Sequence, residues 1–367
     1  MAARRIAYFI SPHGYGHAAR AAAVMAALRE LDSRIQFELF TLVPDWFFAD
    51  SLGVDTFGYQ ACMADIGMAQ QTALVEDVPE TVRRLDAFLP FDQDRVRELA
   101  DRVVGLGCRL VVCDIAPLGI AVARQAGLPS LLVENFTWDW IYAGYACEHP
   151  RMAEHAAYLA EWFARADYRV QTAPARPQAA HLHTAPVSRR PRTSAEHIRR
   201  QLGVPAGASL VMLTMGGVRW RYDWLDRLAD FGSAYFVVPG ADAALAASGK
   251  SYCPHNLRVL PHRSQFFHPD LVNASDVVVG KVGYSTVAEV YWAGIPFAYV
   301  ARPRFRESQV LTDFVAQHIT SQAIPDQHFE SGDWVQALPS LLELPRVARS
   351  GANGAQQVAC FIHAQLA

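Results

Sequence analysis

Short apolar runs rich in β-branched residues alternate with longer segments of helical period along almost the whole chain. Ile6-Ala7-Tyr8-Phe9-Ile10 is the first run and reads as a buried strand. Ser11-Pro12-His13-Gly14-Tyr15-Gly16-His17 breaks it. An alanine-rich helix follows to about Leu31, with Val24, Leu28 and Leu31 on one stripe. Residues 35–42 predict a second strand and 54–57 a weaker third. The stretch 59–78 has no period and is long enough to be a functional loop. A helical pattern over 80–105 is interrupted near Pro90. Strands are predicted at 110–114, 130–135 and 168–171, with helices at 118–125 and 152–166.

The chain then changes character. Pro174, Pro177, Pro186 and Pro191, with Arg189, Arg190 and Arg192, mark an interdomain linker whose arginines are expected to be solvated. Beyond it the alternation resumes, with strands at 210–214, 234–238, 257–260 and 297–300 and helices at 265–273, 308–317, 334–344 and 355–366. The expectation is an α/β chain of two Rossmann-like doubly wound parallel-sheet domains, residues 1–173 and 192–350, facing a cleft. Residues 174–191 link them, and the helix in 351–367 is expected to cross back onto the first domain.

The richest stretch of the second half is Val277-Val278-Val279-Gly280-Lys281-Val282-Gly283-Tyr284-Ser285-Thr286-Val287-Ala288-Glu289, read as strand, glycine turn and helix start. The unpaired N–H groups and positive dipole end of such a helix suit a diphosphate. Thr286 with Glu289 also reads as a capping box, and both readings stay open at this point. Ligands in open parallel sheets bind outside the carboxyl ends of the strands. The residues at those ends are His13, Gly16 and His17, Asp114, Asn135, Gly216-Gly217, His262, the Gly280–Thr286 turn and Arg302–Glu307.

His17 opens a helix, where imidazolium is disfavoured, so a neutral ring able to take a proton is expected near pH 7. Asp114 would orient it; capping by both residues is the competing reading, and His13 is a weaker candidate. Arg302, Arg304 and Arg306 suit phosphate, with two of the three expected at the surface. Lys281 would pair with phosphate or with a carboxylate, and Glu307 and Gln309 with sugar hydroxyls.

Composition narrows the classes. The chain has 367 residues, 51% hydrophobic and 19% charged, with a net charge of −3 that gives no reason to expect nucleic acid. No apolar run approaches the roughly 18 residues of a membrane span. Arg4-Arg5 leads directly into the first strand, without a signal-peptide pattern, and the six cysteines show no paired spacing. A reduced cytoplasmic protein without metal or cofactor is expected. Trp46-Phe47-Phe48 leaves peripheral membrane contact open, burial being the commoner reading.

Gly280-Lys281-Val282-Gly283-Tyr284-Ser285-Thr286-Val287-Ala288-Glu289, followed by Gly294-Ile295-Pro296-Phe297, resembles the donor-binding segment of GT-B glycosyltransferases. The nearest likeness is to the glycosyltransferase-like N-terminal domain of plant L-arabinokinases, and more distantly to the lipid II N-acetylglucosaminyltransferase. His13-Gly14-Tyr15-Gly16-His17-Ala18-Ala19-Arg20, Asp114-Ile115-Ala116-Pro117-Leu118, Asn135-Phe136-Thr137-Trp138-Asp139-Trp140 and Arg302-Pro303-Arg304-Phe305-Arg306-Glu307 fit the same group in order. No kinase segment follows in these residues, so a sugar-kinase activity is not implied.

The resemblance implies an inverting, metal-independent transferase using a nucleotide diphosphate sugar, UDP-linked, and a small-molecule or lipid-linked acceptor. It implies His17 as base and Glu289 on the ribose. It places Pro261 and His262 near the nucleobase, and Glu307 and Gln309 near the donor sugar. Gly216, Gly217, Lys281, Gly283, Tyr284, Ser285, Thr286, Arg302 and Arg306 complete the expected donor side. His13, Gly16, Asn135, Trp138, Asp139 and Trp140 form the expected acceptor side. The Gly16-His17-Ala18-Ala19-Arg20 turn is also similar to the UDP-sugar hydrolase of pseudaminic acid biosynthesis, so water stays open as the acceptor. An epimerase on the same fold and a silent sugar-nucleotide sensor are the remaining alternatives.

Overall fold

The structure, a computed structural model, describes residues 4–216, 220, 222–240 and 254–366. Seven parallel strands form the first sheet: β1 (Arg4–Ile10), β2 (Ile35–Thr41), β3 (Phe57–Ala61), β4 (Cys108–Asp114), β5 (Ser130–Glu134), β6 (Tyr168–Thr172) and β7 (Leu182–Thr184). Their order is β3-β2-β1-β4-β5-β6-β7. Six more form the second sheet: β8 (Ser209–Thr214), β9 (Ala234–Pro239), β10 (Leu257–Leu260), β11 (Val277–Lys281), β12 (Phe297–Val300) and β13 (Ser321–Ala323). These run β10-β9-β8-β11-β12-β13, again all parallel.

Helices cover both faces of each sheet, which is why Ile6 to Ile10 and Val277 to Val279 are buried without alternation. The helix Gly16–Leu31 is alanine-rich for a reason of space. It packs against the sheet, against Tyr284–Ala293 of the second domain and against the terminal helix Gly354–Gln365. Val358, Ala359 and Ile362 bury on it, so the last helix does cross back onto the first domain.

Several sequence expectations are corrected. The third strand lies at Phe57–Ala61 and not at 54–57, because Gly53 ends a helix, Asp45–Leu52, that the sequence pattern did not reveal. That helix turns Phe47 and Phe48 inward and leaves Trp46 half-buried on the cleft, so this cluster is packing and not a lipid-facing patch. The first sheet does not end near 171: β7, inside the expected linker, adds its edge strand. Arg189 of that linker is buried, contrary to the solvated expectation. Among the described residues no helix is long and apolar enough to cross a membrane.

In each sheet the strand order reverses once, between β1 and β4 and between β8 and β11. Such a switch point leaves a crevice at the carboxyl ends. Here the two crevices face each other, and the segments after β1, β8 and β11 meet in the cleft.

Candidate functional site

Two crevices line the cleft and share Tyr15, Gly216, Ser285 and Thr286. The outer one opens to solvent, a space of about 840 Å³ between Trp46 and Phe47 of the first domain and Pro239, Pro261, Phe266 and His268 of the second. Tyr15 and His262 close over it, with 2.7 Å between the hydroxyl and Nε2. The inner one holds His13, Gly16, His17, Lys281, Gly283, Arg302 and Glu307.

The helix Tyr284–Ala293 presents its first turn to the inner crevice, opposite the first turn of Gly16–Leu31. Two positive helix ends therefore converge on one space. The cap of the second helix is Gly283, which offers no side chain to its N–H groups, so the capping-box reading of Thr286 and Glu289 is overturned. Gly280 has another task. A Cβ there would lie 1.8 Å from the Thr214 carbonyl oxygen, so this glycine permits strand contact and not ligand approach. Gly283 is the glycine that opens room for a ligand: an added Cβ would meet nothing nearer than Lys281 Cε at 4.0 Å.

His17 and Asp114 are brought together by the β1–β4 pairing, with Nδ1 3.0 Å from Oδ1. A proton on Nδ1 donated to Asp114 leaves Nε2 as the basic nitrogen. Asp114 is completely buried. Burial alone would raise its pKa, but the Arg20 guanidinium and His17 together hold the carboxyl below its ordinary range. Arg20 donates to Oδ2 at 2.9 Å and to Oδ1 at 2.6 Å, and its third nitrogen donates to Asn135 Oδ1 at 2.6 Å. The sequence pattern assigned Arg20 no function; its signal was a cation within the buried alanine-rich first half of the helix, one turn after His17.

Asn135 is not free to meet an acceptor. Its amide nitrogen donates to Glu307 Oε1 at 2.7 Å, across the cleft. One polar chain thus runs from His17 through Asp114, Arg20 and Asn135 to Glu307 in the other domain. Tyr284 belongs to the same seam. Its hydroxyl accepts from the Val187 N–H at 3.1 Å, and the Arg20 guanidinium lies 4.9 Å from its ring centre.

Other expected residues are placed differently. His13 lines the inner crevice, but its Nδ1 accepts from the Met68 N–H at 3.2 Å, and burial followed by the Arg302 charge pushes its pKa well down. It is a neutral anchor for the 62–77 loop. Trp138 is core: it is fully buried and its indole donates to Asp65 at 3.0 Å. Asp139 and Trp140 line neither crevice. Arg306 reaches back to the Trp140 carbonyl at 2.9 Å, and Gln309 to Asp313 at 2.7 Å, so neither faces the expected diphosphate or sugar. Both are solvent-exposed, on the side of the helix's first turn away from Glu307, which alone of that turn lines the crevice. Arg304 pairs with Glu148, outside the cleft. Gly217 lies outside the described residues.

Glu289 is buried, and both its oxygens are engaged: Oε1 accepts from Arg189 at 3.0 Å and Oε2 lies 2.7 Å from His268 Nδ1. Burial would raise its pKa, but His268 and Arg189 together hold it below the ordinary glutamate value. Arg189 and His268 line the outer crevice, and Glu289 holds both from behind without lining it. Lys281 lines the inner crevice, where burial, reinforced by the Arg302 charge, brings its amine down to about 7. Among the described residues no cluster of three or more His, Cys, Asp or Glu could hold a metal ion.

No family model matches the chain. Solved structures do. A glycosyltransferase of Streptomyces nogalater superposes over 100% of both chains with a TM-score of 0.58 at 15% identity. A Medicago truncatula protein solved with UDP-glucose aligns over 99% of this chain and 98% of its own, with a TM-score of 0.60 at 13% identity. The fold is GT-B. MurG of Acinetobacter baumannii, at 16% identity and a TM-score of 0.55, covers 98% of this chain and 99% of its own. In sequence, the chain is 25% identical over 357 residues to the L-arabinokinase of Arabidopsis thaliana. That match covers 95% of this chain but 33% of the plant protein, so the chain spans about a third of the length of this curated relative. The resemblance read from the motifs thus holds in both its parts, the GT-B fold and the L-arabinokinase likeness.

Proposed function

We propose that the chain is a glycosyltransferase that moves a sugar from a nucleotide diphosphate sugar, UDP-linked, to an acceptor hydroxyl with inversion and without a metal. One observation carries this reading: the open first turn of Tyr284–Ala293 and the His17–Asp114 pair face one crevice from opposite domains. The nucleobase and ribose lie in the outer, aromatic crevice, with Tyr15 and His262 closing over them. Arg189 and His268 meet the ribose side, held in place by Glu289. The diphosphate sits on the amides around Gly283 to Thr286, with Lys281 beside it.

Charge develops on the leaving diphosphate as its bond to the anomeric carbon breaks. A preorganised helix end and the two cations Lys281 and Arg302 stabilise that charge, and such stabilisation is usually the largest single contribution to catalysis. Nε2 of His17 takes the acceptor proton, and Asp114 stabilises the resulting imidazolium. Similar folds solved with UDP-glucose and with dTDP support the donor class.

The test starts with a thermal-shift panel of nucleotide sugars, where a donor at 100 times its dissociation constant stabilises by about 2.7 kcal/mol. No shift with any of them removes the reading. With the donor in hand, His17→Ala is expected to cut turnover by roughly 10²–10⁴-fold with UDP affinity unchanged. Undiminished turnover in that variant removes His17 as the base. Release of free sugar at full rate without an acceptor makes water the acceptor.

A further inference from the structure

The 62–77 loop of the first domain reaches the inner crevice, and none of its residues figures in the donor site above. Its tip is a small hairpin. Gln70 and Glu76 face each other as an antiparallel pair, and the Asp77 N–H donates to the Ala69 carbonyl at 2.8 Å. Paired positions on such a ribbon project their side chains on one face. Gln70 lines the inner crevice beside Lys281, Arg302 and Glu307.

What these side chains lack is as informative as what they hold. Arg302 is 5% exposed, yet its Nε and Nη1 have no hydrogen-bond partner among the described residues. Its guanidinium is fixed from behind, 3.9 Å from the Phe305 ring centre, and Glu76 Oε1 lies 3.9 Å from Nη1, too far to bond. Gln70 Nε2 and Glu76 Oε1 are buried and unpartnered as well. A buried polar atom without a partner costs on the order of 1–3 kcal/mol, and such groups in a crevice are completed by water or by a ligand.

We propose that Gln70 and the Glu76–Arg302 pair form the donor-sugar subsite, contributed jointly by both domains, and that it selects an uncharged sugar over a uronic acid. This rests on the glycosyltransferase reading. Donors on Gln70 and Arg302 meet ring-hydroxyl oxygens, and the open oxygen of Glu307 accepts a hydroxyl proton. Selectivity follows from charge. Arg302 and a Lys281 amine brought down to about 7 face Glu76 and Glu307 before any ligand arrives, and the diphosphate then adds negative charge. A further carboxylate on the sugar would enter an already anionic crevice lined by Glu307, with Glu76 next to it on Arg302, where like charges repel.

Calorimetric binding of UDP, dTDP and two matched pairs, UDP-glucose with UDP-glucuronate and UDP-galactose with UDP-galacturonate, tests this. In the wild type the uncharged member of at least one pair is expected to bind about tenfold or more tightly than its uronate. Gln70→Ala should weaken that uncharged donor about tenfold while UDP affinity stays within about twofold. Glu76→Gln should narrow the preference within the pair by about tenfold, with UDP again unchanged. A uronate that binds as well as its uncharged partner overturns the proposal. So does an unaltered preference in both variants, or UDP binding with no measurable binding of any uncharged conjugate. Failure of both UDP and dTDP to bind instead removes the glycosyltransferase reading, and this subsite with it.

Discussion

Asp65 shows how much a single buried group can weigh. Its carboxyl accepts from Ser11 at 2.9 Å and from the Trp138 indole at 3.0 Å, with no cation beside it. Burial pushes its pKa from 3.8 up to about 7. The folded value therefore lies above the unfolded one, and the stability gained from the neutral acid is complete below about pH 4 and lost as pH rises to about 7. Asp65→Asn keeps both contacts by accepting from Trp138 and donating to Ser11. Relative to wild type it should gain stability between pH 4 and 8, by at most about 4 kcal/mol. Urea unfolding at the two values checks this, and a difference that does not change with pH contradicts it. Asp114, one layer away, behaves oppositely because Arg20 faces it. His17 and Asp114 were legible in the sequence because both follow apolar runs that end at the same sheet edge. The partners Arg20, Asn135 and Glu307 were not read as a chain. Their contacts span 115 and 172 positions: the first exists only once the first domain has folded, the second only once the two domains meet.

At the scale of elements, the long strands and helices were legible because their burial imposes a period or an unbroken apolar run. The elements missed are short: β7 and β13 have three residues each, and Trp138–Ala143 has six. Pieces of that length bury too little to leave a pattern, and they form because a neighbouring strand edge or turn is already in place. The hairpin at Gln70 and Glu76 is of this kind, so its site residues were hidden inside a stretch recognised only as aperiodic. The β11 turn was read correctly as strand, turn and helix start, but its glycines divide the work. Gly280→Ala would drive a methyl into the Thr214 carbonyl, 1.8 Å away, at the centre of the second sheet. The β8–β11 pairing would have to separate, and a loss of about 3 kcal/mol or more is expected from such overpacking. A melting temperature within about 2 °C of wild type would show that the two strands can part without cost.

The whole molecule is held closed at the rear of the cleft by a junction the linker itself provides. Arg189 runs from the linker into the second domain, bonds Glu289, and lies 5.0 Å from the Phe47 ring centre in the first domain. Its guanidinium is thus sandwiched between domains, and the Phe267 ring centre is 4.9 Å away on the other side. The expectation of a solvated linker holds for the exposed Arg190 and Arg192 and failed at Arg189, because basic residues near prolines carry no mark of the partner they meet. Arg189→Ala leaves the buried carboxylate with His268 alone, and removing one partner of a buried ion pair costs about 3–5 kcal/mol. The sign of its pH dependence follows from Glu289. Its folded pKa is lowered, so the stability from this junction is present above the ordinary glutamate value and lost as pH falls through the folded one. The deficit of Arg189→Ala should therefore be full at pH 7 and shrink as the pH drops below the ordinary glutamate value of about 4.3, where the carboxylate protonates in the variant first. Parallel urea titrations at neutral and acid pH decide the point. A constant deficit would assign Arg189 to packing on Phe47 and Phe267. A deficit that closes in acid would assign it to Glu289, and through Glu289 to the orientation of His268 on the cleft wall.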